Sequence, residues 1–471
     1  MTGHGGAFQN ALAISGRING RTALRRTLPS VSVGSVSILV ALVFVINIFF
    51  PPVDALGTDL ASFDGPIIVN DSTTGNQANP YLTTTARGDI VVVWQDARSG
   101  YEDLYSARSV DGGLSFEAND RVDDSTRLSS KQLDPSAAAS HRGIVYVVWQ
   151  DNRRYQYDFD IYFSISRNNA ASFDPNKKAD DSNTSISWQE RPAIAVSEYG
   201  TIVVAWTDDR SGALRIRKTT SITRGSSFSP TSELDMSRGL ANPQTGVSLT
   251  ANDDTFFAAF LENVGGAPHA YVCISDDDGE TFGSSARLDA SGTPGSIQRN
   301  IALAPMPKGG AVAVWEDNRN GDWDIYGRFI SQSGAPLGTD VLISDGSRRT
   351  WQCHPAVVAD PTGNVIVSWD DDRQGSTDIR LSYKRADESY FAQSVLVASA
   401  DSDNMFQKPT MGSGVEDGCV YIAWQGDSLG TEDVYFSVGH LPGLTAAMRD
   451  SSGPATHWAT IIATPVSAFR S

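Results

Sequence analysis

One apolar segment ending in an aromatic residue recurs seven times along the chain. It reads VVVWQD at Trp94, VYVVWQD at Trp149, IVVAWTD at Trp206, FFAAFLE at Phe260, AVAVWED at Trp315, VIVSWDD at Trp369 and VYIAWQG at Trp424. Successive separations are 55, 57, 54, 55, 54 and 55 residues. So even a period means that each copy is one supersecondary unit, burying its apolar surface against its neighbours. Each unit keeps one internal order. A Gln-x-x-Pro start (Gln77/Pro80, Gln132/Pro135, Gln189/Pro192, Gln352/Pro355) suits the first residues of a strand. The apolar segment follows, then a Trp-x-Asp-x-Arg loop. A second polar-apolar strand comes next, read as Asp103-Leu104-Tyr105, Asp160-Ile161-Tyr162, Asp324-Ile325-Tyr326 and Asp433-Val434-Tyr435. A turn and a last short strand close the unit. Short β-branched runs punctuated by Gly, Asn and Asp are antiparallel strands. The fold class is therefore all-β: a seven-bladed β-propeller of four-stranded blades over 64–440. Only a last-strand segment, Pro66-Ile67-Ile68-Val69, precedes the first unit, and the seventh stops at its third strand. The N-terminal strand is thus expected to close the ring and leave no open edge.

The amino terminus gives an address. No charge occurs between Arg26 and Asp54, and Val31 to Phe50 is dominated by Val, Ile, Leu and Phe. As a helix this run spans about 30 Å, the hydrocarbon thickness of a bilayer. Arg17, Arg21, Arg25 and Arg26 mark residues 1–30 as a cytoplasmic basic segment. Residues 31–50 are then a transmembrane anchor, or the apolar part of a signal peptide cut after Ala55. Residues 51–63 form a linker, the propeller stands at the cell surface (secreted if cleaved), and 441–471 is an irregular tail. Two sequons, Asn70-Asp71-Ser72 and Asn183-Thr184-Ser185, fit export.

Net charge is −18; four arginines against Asp54 give residues 1–55 a charge of +3, which leaves −21 on the rest. So acidic a body excludes nucleic acid and anionic lipid as partners of the propeller. Cys273, Cys353 and Cys419 are too few for a disulfide framework or a thiolate zinc cluster. No metal site and no cofactor are expected.

The third turn of the first unit reads Ser109-Val110-Asp111-Gly112-Gly113-Leu114-Ser115-Phe116. That of the fourth reads Ser275-Asp276-Asp277-Asp278-Gly279-Glu280-Thr281-Phe282. The pattern Ser-x-Asp-x-Gly-x-x-Phe resembles the Asp-box of the propeller group that includes the sialidases. Degraded copies stand at Ser166/Asn168/Ala170/Phe173 and Ser221/Thr223/Gly225/Phe228. A structural role is expected for Ser109, Asp111, Gly113, Phe116, Ser275, Asp277, Gly279 and Phe282. Their side chains bond turn amides, Gly takes a positive φ, and the aromatic wedges into the sheet.

The resemblance implies ligands on the opposite face, where the Trp-x-Asp-x-Arg loops open. A sialidase would need three arginines for a carboxylate, a Tyr-Glu nucleophile pair and an Asp acid. The family signature Phe/Tyr-Arg-Ile-Pro is absent, and Arg191-Pro192-Ala193-Ile194 lies in the strand-start frame of the repeat. Candidate ligand residues are Arg98, Arg153, Arg210, Arg319 and Arg373, with Tyr155 and Tyr157 of an enlarged second loop and Arg215 and Arg217 of a basic strip in the third unit. Against the five repeat arginines stands a carboxylate two residues before each, which can hold the guanidinium within its own blade. Tyr101-Glu102 is a nucleophile pair only if its loop is irregular. Further departures from the repeat are His269 and Trp351-Gln352-Cys353-His354. No catalytic residue is assigned. The leading expectation is a recognition or adhesion module for glycan or protein. The alternatives are a sialidase-like glycoside hydrolase and a structural surface-layer component.

Overall fold

The computed structural model describes residues 61–441 apart from 183–186, 236–241, 291, 347–348, 401–404, 414–418 and 428–429. The expected cytoplasmic segment, the membrane or signal segment, nearly all of the linker and all but the first residue of the tail lie outside them. Among the described residues there is no helix. The strands form seven antiparallel sheets. Blade one shows the pattern: Gln77–Thr84, Ile90–Asp96, Asp103–Ser109 and the two-residue outer strand Asp120–Arg121, paired in that order. In blade seven, Phe406–Ser413, Cys419–Asp427 and Glu432–His440 are followed in the sheet by N-terminal residues. Ile67 pairs with Phe436, Ile68 with Tyr435 and Ser62 with His440.

The first strands of the seven blades contact one another in an unbroken ring, Gln77–Thr84 through Gln132–Ala139, Gln189–Val196, Gln244–Asn252, Gln298–Pro305, Gln352–Ala359 and Phe406–Ser413 back to the first. They surround the propeller axis. Second strands are buried on both faces, as the continuous run Ile90-Val91-Val92-Val93-Trp94 requires. Seven apolar clusters each join two adjacent blades; Trp94 packs with Val434 and Phe436 of blade seven, and Trp206 with Ile161 and Phe163 of blade two. All six tryptophans of the repeat are fully buried, and Phe260 fills the equivalent place in blade four. No blade therefore has a core of its own, which is why the period extends through the whole domain.

At the third turn, Ser109 Oγ donates to Asp111 Oδ1 (2.7 Å) and accepts from Gly113 N (2.9 Å), while Ser115 N donates to Asp111 (3.0 Å). Ser275, Asp277, Gly279 and Thr281 repeat this arrangement. Gly113 has a φ of +94°, and a Cβ there would stand 2.5 Å from the ring of Phe436, which Phe116 meets edge-on at 5.1 Å. Phe282 packs against the cluster between blades three and four.

Candidate functional site at the axial mouth

The five repeat arginines occupy equivalent places, and each is committed to carboxylates. In blade one, Asp96 Oδ2 accepts from the Trp94 indole at 2.9 Å, while Asp96 Oδ1 accepts from Arg98 N and Nε, each at 2.9 Å. The guanidinium reaches on to Asp71, in the connection from blade seven, at 2.8 Å. Arg153 takes Asp151 and Asp124, Arg210 takes Asp208 and Asp181, Arg319 takes Asp317 and Asp340, and Arg373 takes Asp371 and Asp345, all at 2.5–2.8 Å. Arg98, Arg153 and Arg319 also stack on Tyr105, Tyr162 and Tyr326, about 4 Å from each ring centroid. Each arginine fastens its own loop to an outer strand or to the connection from the preceding blade, with both faces of the guanidinium fork used.

The basic strip of blade three has a similar explanation. Blade one pairs Asp103 with Arg121 at 2.6 Å, and blade two pairs Asp160 with Lys178 at 2.6 Å. The same two positions in blade three hold Arg215 and Glu233, at 3.5 Å, so the pair is inverted in sign. Arg215 is fully buried, and Arg217 lies 3.6 Å from both Asp208 and Glu233. Of the remaining candidates, Tyr155 and Tyr157 are exposed on the hairpin of blade two. Trp149 and Asp160 are 11 residues apart there, against 9 for Trp94 and Asp103. Tyr101 is half-exposed, and Glu102 is turned to Lys131 Nζ at 3.0 Å. His269 lies between Gln298 and Arg287, remote from His354 in the ring of blades.

The structure draws together a set that the repeat conceals. Each first strand carries a β-bulge two residues after its start, shown by register shifts such as Ala78/Tyr81 and Leu133/Ser136. The bulged residues are Asn79, Asp134, Arg191, Gly246, Asn300, His354 and Lys408, all with φ between 48° and 60°. At six of the seven interfaces the bulge amide donates to the side chain of the residue that follows the repeat Trp in the preceding blade. Asn79 N reaches Gln425 (2.8 Å), Asp134 N reaches Gln95 (2.9 Å), Arg191 N reaches Gln150 (2.9 Å), and Gly246 N reaches Thr207 (3.2 Å). His354 N reaches Glu316 (2.6 Å) and Lys408 N reaches Asp370 (3.0 Å).

Left-handed backbone costs an ordinary L-residue on the order of 1 kcal/mol, and glycine least. Gly246 shows that glycine serves this backbone, yet six blades keep a side chain there. Strain held at one ring of equivalent positions is the mark of side chains kept for what they present. Their chemistry differs from blade to blade: amide, acid, guanidinium, imidazole and amine. Burial pushes the Asp134 carboxyl above its ordinary range, against the pull of Arg191 and Lys408. Burial likewise raises Asp370, against its hydrogen bond to His354, and raises Glu432, against Lys408. Trp188 and Trp351, which immediately precede Gln189 and Gln352, are about half exposed on the same end of the first strands. The ring of bulges therefore gathers mixed charges and amides, with two exposed tryptophans at the same end of the first strands. One signal in the sequence could have found it. In the five units that keep the Pro, the residue before it is Asn79, Asp134, Arg191, His354 or Lys408, a different class in each.

The chain matches no protein-family model and no curated protein. Solved structures do resemble it. An α-L-arabinanase of Penicillium chrysogenum, complexed with arabinobiose, is 14% identical, with a TM-score of 0.50 over 80% of this chain and 98% of that one. A protein of unknown function from Dyadobacter fermentans is 13% identical, with a TM-score of 0.48 over 81% and 99%. A sialidase of Streptococcus pneumoniae is 13% identical, with a TM-score of 0.46 over 81% and 71%. At such identities the likeness is one of fold alone: the chain is a β-propeller.

Proposed function

We propose that the protein is an exported recognition module, held at the cell surface by residues 31–50, that binds glycan in the axial mouth. The observation that carries this reading is the ring of bulges. Of seven equivalent positions, fixed in backbone, six hold side chains of five chemical classes at a cost in strain. Convergent polar groups beside exposed aromatic rings suit hydroxyl-rich ligands with apolar ring faces. The acidic body makes nucleic acid an unsuitable partner.

A second reading, a glycoside hydrolase, is favoured by one observation. Glu316 and Asp370 are buried carboxylates at positions where four other blades hold Gln or Thr. The test is incubation of the purified protein with a mass-resolved library of sialylated, arabinose-containing and neutral glycans. Retention without cleavage supports the recognition module. Cleavage with water added across a glycosidic bond puts the hydrolase first. Neither retention nor cleavage removes both readings and leaves a structural surface-layer role.

A further inference from the structure

Two of the seven blade interfaces carry charge that the frame does not require. The bulge amide needs one oxygen acceptor, and Gln95, Gln150, Thr207 and Gln425 each supply one without charge. From blade five to blade six the acceptor is Glu316, and from blade six to blade seven it is Asp370, both buried. A buried carboxylate costs several kcal/mol unless it is paired. Glu316 holds Arg299, whose guanidinium lies 3.8 Å from the ring centroid of Trp323. It also accepts from Asn300 Nδ2 at 2.6 Å. Asp370 Oδ2 lies 2.7 Å from His354 Nδ1. That contact orients the imidazole and leaves Nε2 as its basic nitrogen. The His354 side chain keeps 36% of its surface exposed.

Cations face the same opening. The Lys408 ammonium bonds the amide oxygen of Asn79, and among the described residues no carboxylate lies within ion-pair distance of it or of the exposed Arg191 guanidinium. The five repeat arginines, by contrast, hold two carboxylates each. Hydrogen bonds tie these groups together: His354 Nδ1 and Lys408 N meet at Asp370 Oδ2, the Lys408 ammonium bonds Asn79, and Asn79 Nδ2 and Asp134 N meet at Gln95 Oε1.

We propose that this opening cleaves uronate-containing glycans by elimination, with His354 as the base. The proposal rests on the glycan reading of the axial mouth. Lys408 or Arg191 pairs with the sugar carboxylate and makes the adjacent C5–H acidic. His354 Nε2 takes that proton, and the C–H electrons become the C4–C5 double bond. The C4–O electron pair leaves with the oxygen of the neighbouring sugar, which takes a proton from the Asp134 carboxyl. His354 then returns its proton to Asp134 through solvent. No water, metal or oxidant is consumed. Burial works against a charged imidazole, but the Asp370 hydrogen bond together with the charges of Asp370 and Glu316 outweighs it and holds His354 above the usual histidine value. Burial favours the neutral carboxyl of Asp134.

The test uses the full-length protein with polygalacturonate, alginate and hyaluronan. It follows the ultraviolet absorbance of unsaturated uronate ends and, separately, retention of each polymer. The expected result is growing absorbance with at least one polymer. His354→Asn, which tolerates a positive φ, should slow it on the order of 100-fold with retention kept. Lys408→Gly serves as the second variant should His354→Asn not fold, and should weaken retention and rate together. Absorbance unchanged in His354→Asn would overturn the assignment of the base. Retention of glycans with no absorbance from any of the three polymers would overturn elimination and leave the glycan reading standing. No retention of charged or neutral glycan would remove both.

Discussion

At the residue scale, the Trp-x-Asp-x-Arg motif is a three-way fastening. The acid joins the indole of its own strand to a guanidinium that grips the adjoining connection or outer strand. Its function in the frame explains why it recurs in five blades and why these arginines have no valence left for a ligand. Arg98→Ala leaves the fully buried Asp96 without its cation and should cost about 3 kcal/mol. Chemical denaturation would measure it, and glycan retention by the folded fraction should be unchanged. Asp111 gives a pH prediction. The Ser115 hydroxyl bond, above all, holds its carboxyl down at about 2, against an ordinary 3.8. A depressed carboxyl stabilises the fold above its unfolded pKa and loses that contribution as pH falls through the folded value. Asp111→Asn should therefore be less stable than the unsubstituted protein at neutral pH. The difference in melting temperature should close as pH falls from 3.8 towards 2. Asp111 is exposed, so the effect is small and weakens in salt.

At the scale of strands and blades, two departures from the repeat have opposite meanings. Arg215 and Arg217 look like an exposed basic strip in the sequence, because a charge reversal is invisible until its partner is known. The register places Arg217 opposite Glu233 and makes the Arg215–Glu233 pair an inverted copy of Asp103–Arg121. Arg215→Asp alone should destabilise blade three strongly, since it buries like charges. Adding Glu233→Arg should recover much of the loss. A double-mutant cycle by urea denaturation should show coupling of roughly 1–3 kcal/mol; additive effects would refute the inversion. The bulge residues are the other kind of departure. Strand identity and blade number were legible because apolar run, Pro and turn recur with fixed spacing. The bulge was not, because a Gln-x-x-Pro start reads as an ordinary strand entry. Only the register shift reveals that its third residue leaves the ladder.

At the scale of the whole molecule, residues far apart in sequence share a blade. Val434 N donates to Asn70 Oδ1 and Asn70 Nδ2 donates to Asp433 Oδ1, both at 2.8 Å. Asn70 is therefore a buried joint between the first and last segments of the propeller, although its sequence reads as a glycosylation acceptor. In protein expressed through the secretory route, peptide mapping should find Asn70 unmodified. Asn70→Ala should lower stability by about 2 kcal/mol through the partners it strands. The central claim is that frame and function separate at the axial mouth, with function carried by bulge residues. The most direct measurement compares the unsubstituted protein with a variant carrying Arg191→Gly, His354→Gly and Lys408→Gly in thermal melting and in glycan retention. Glycine relieves the positive φ at all three positions. The account predicts a variant that still folds and melts cooperatively, relief of the positive φ offsetting part of the lost His354–Asp370 contact, and that no longer retains its glycans. A variant that retains the same glycans equally well would contradict it.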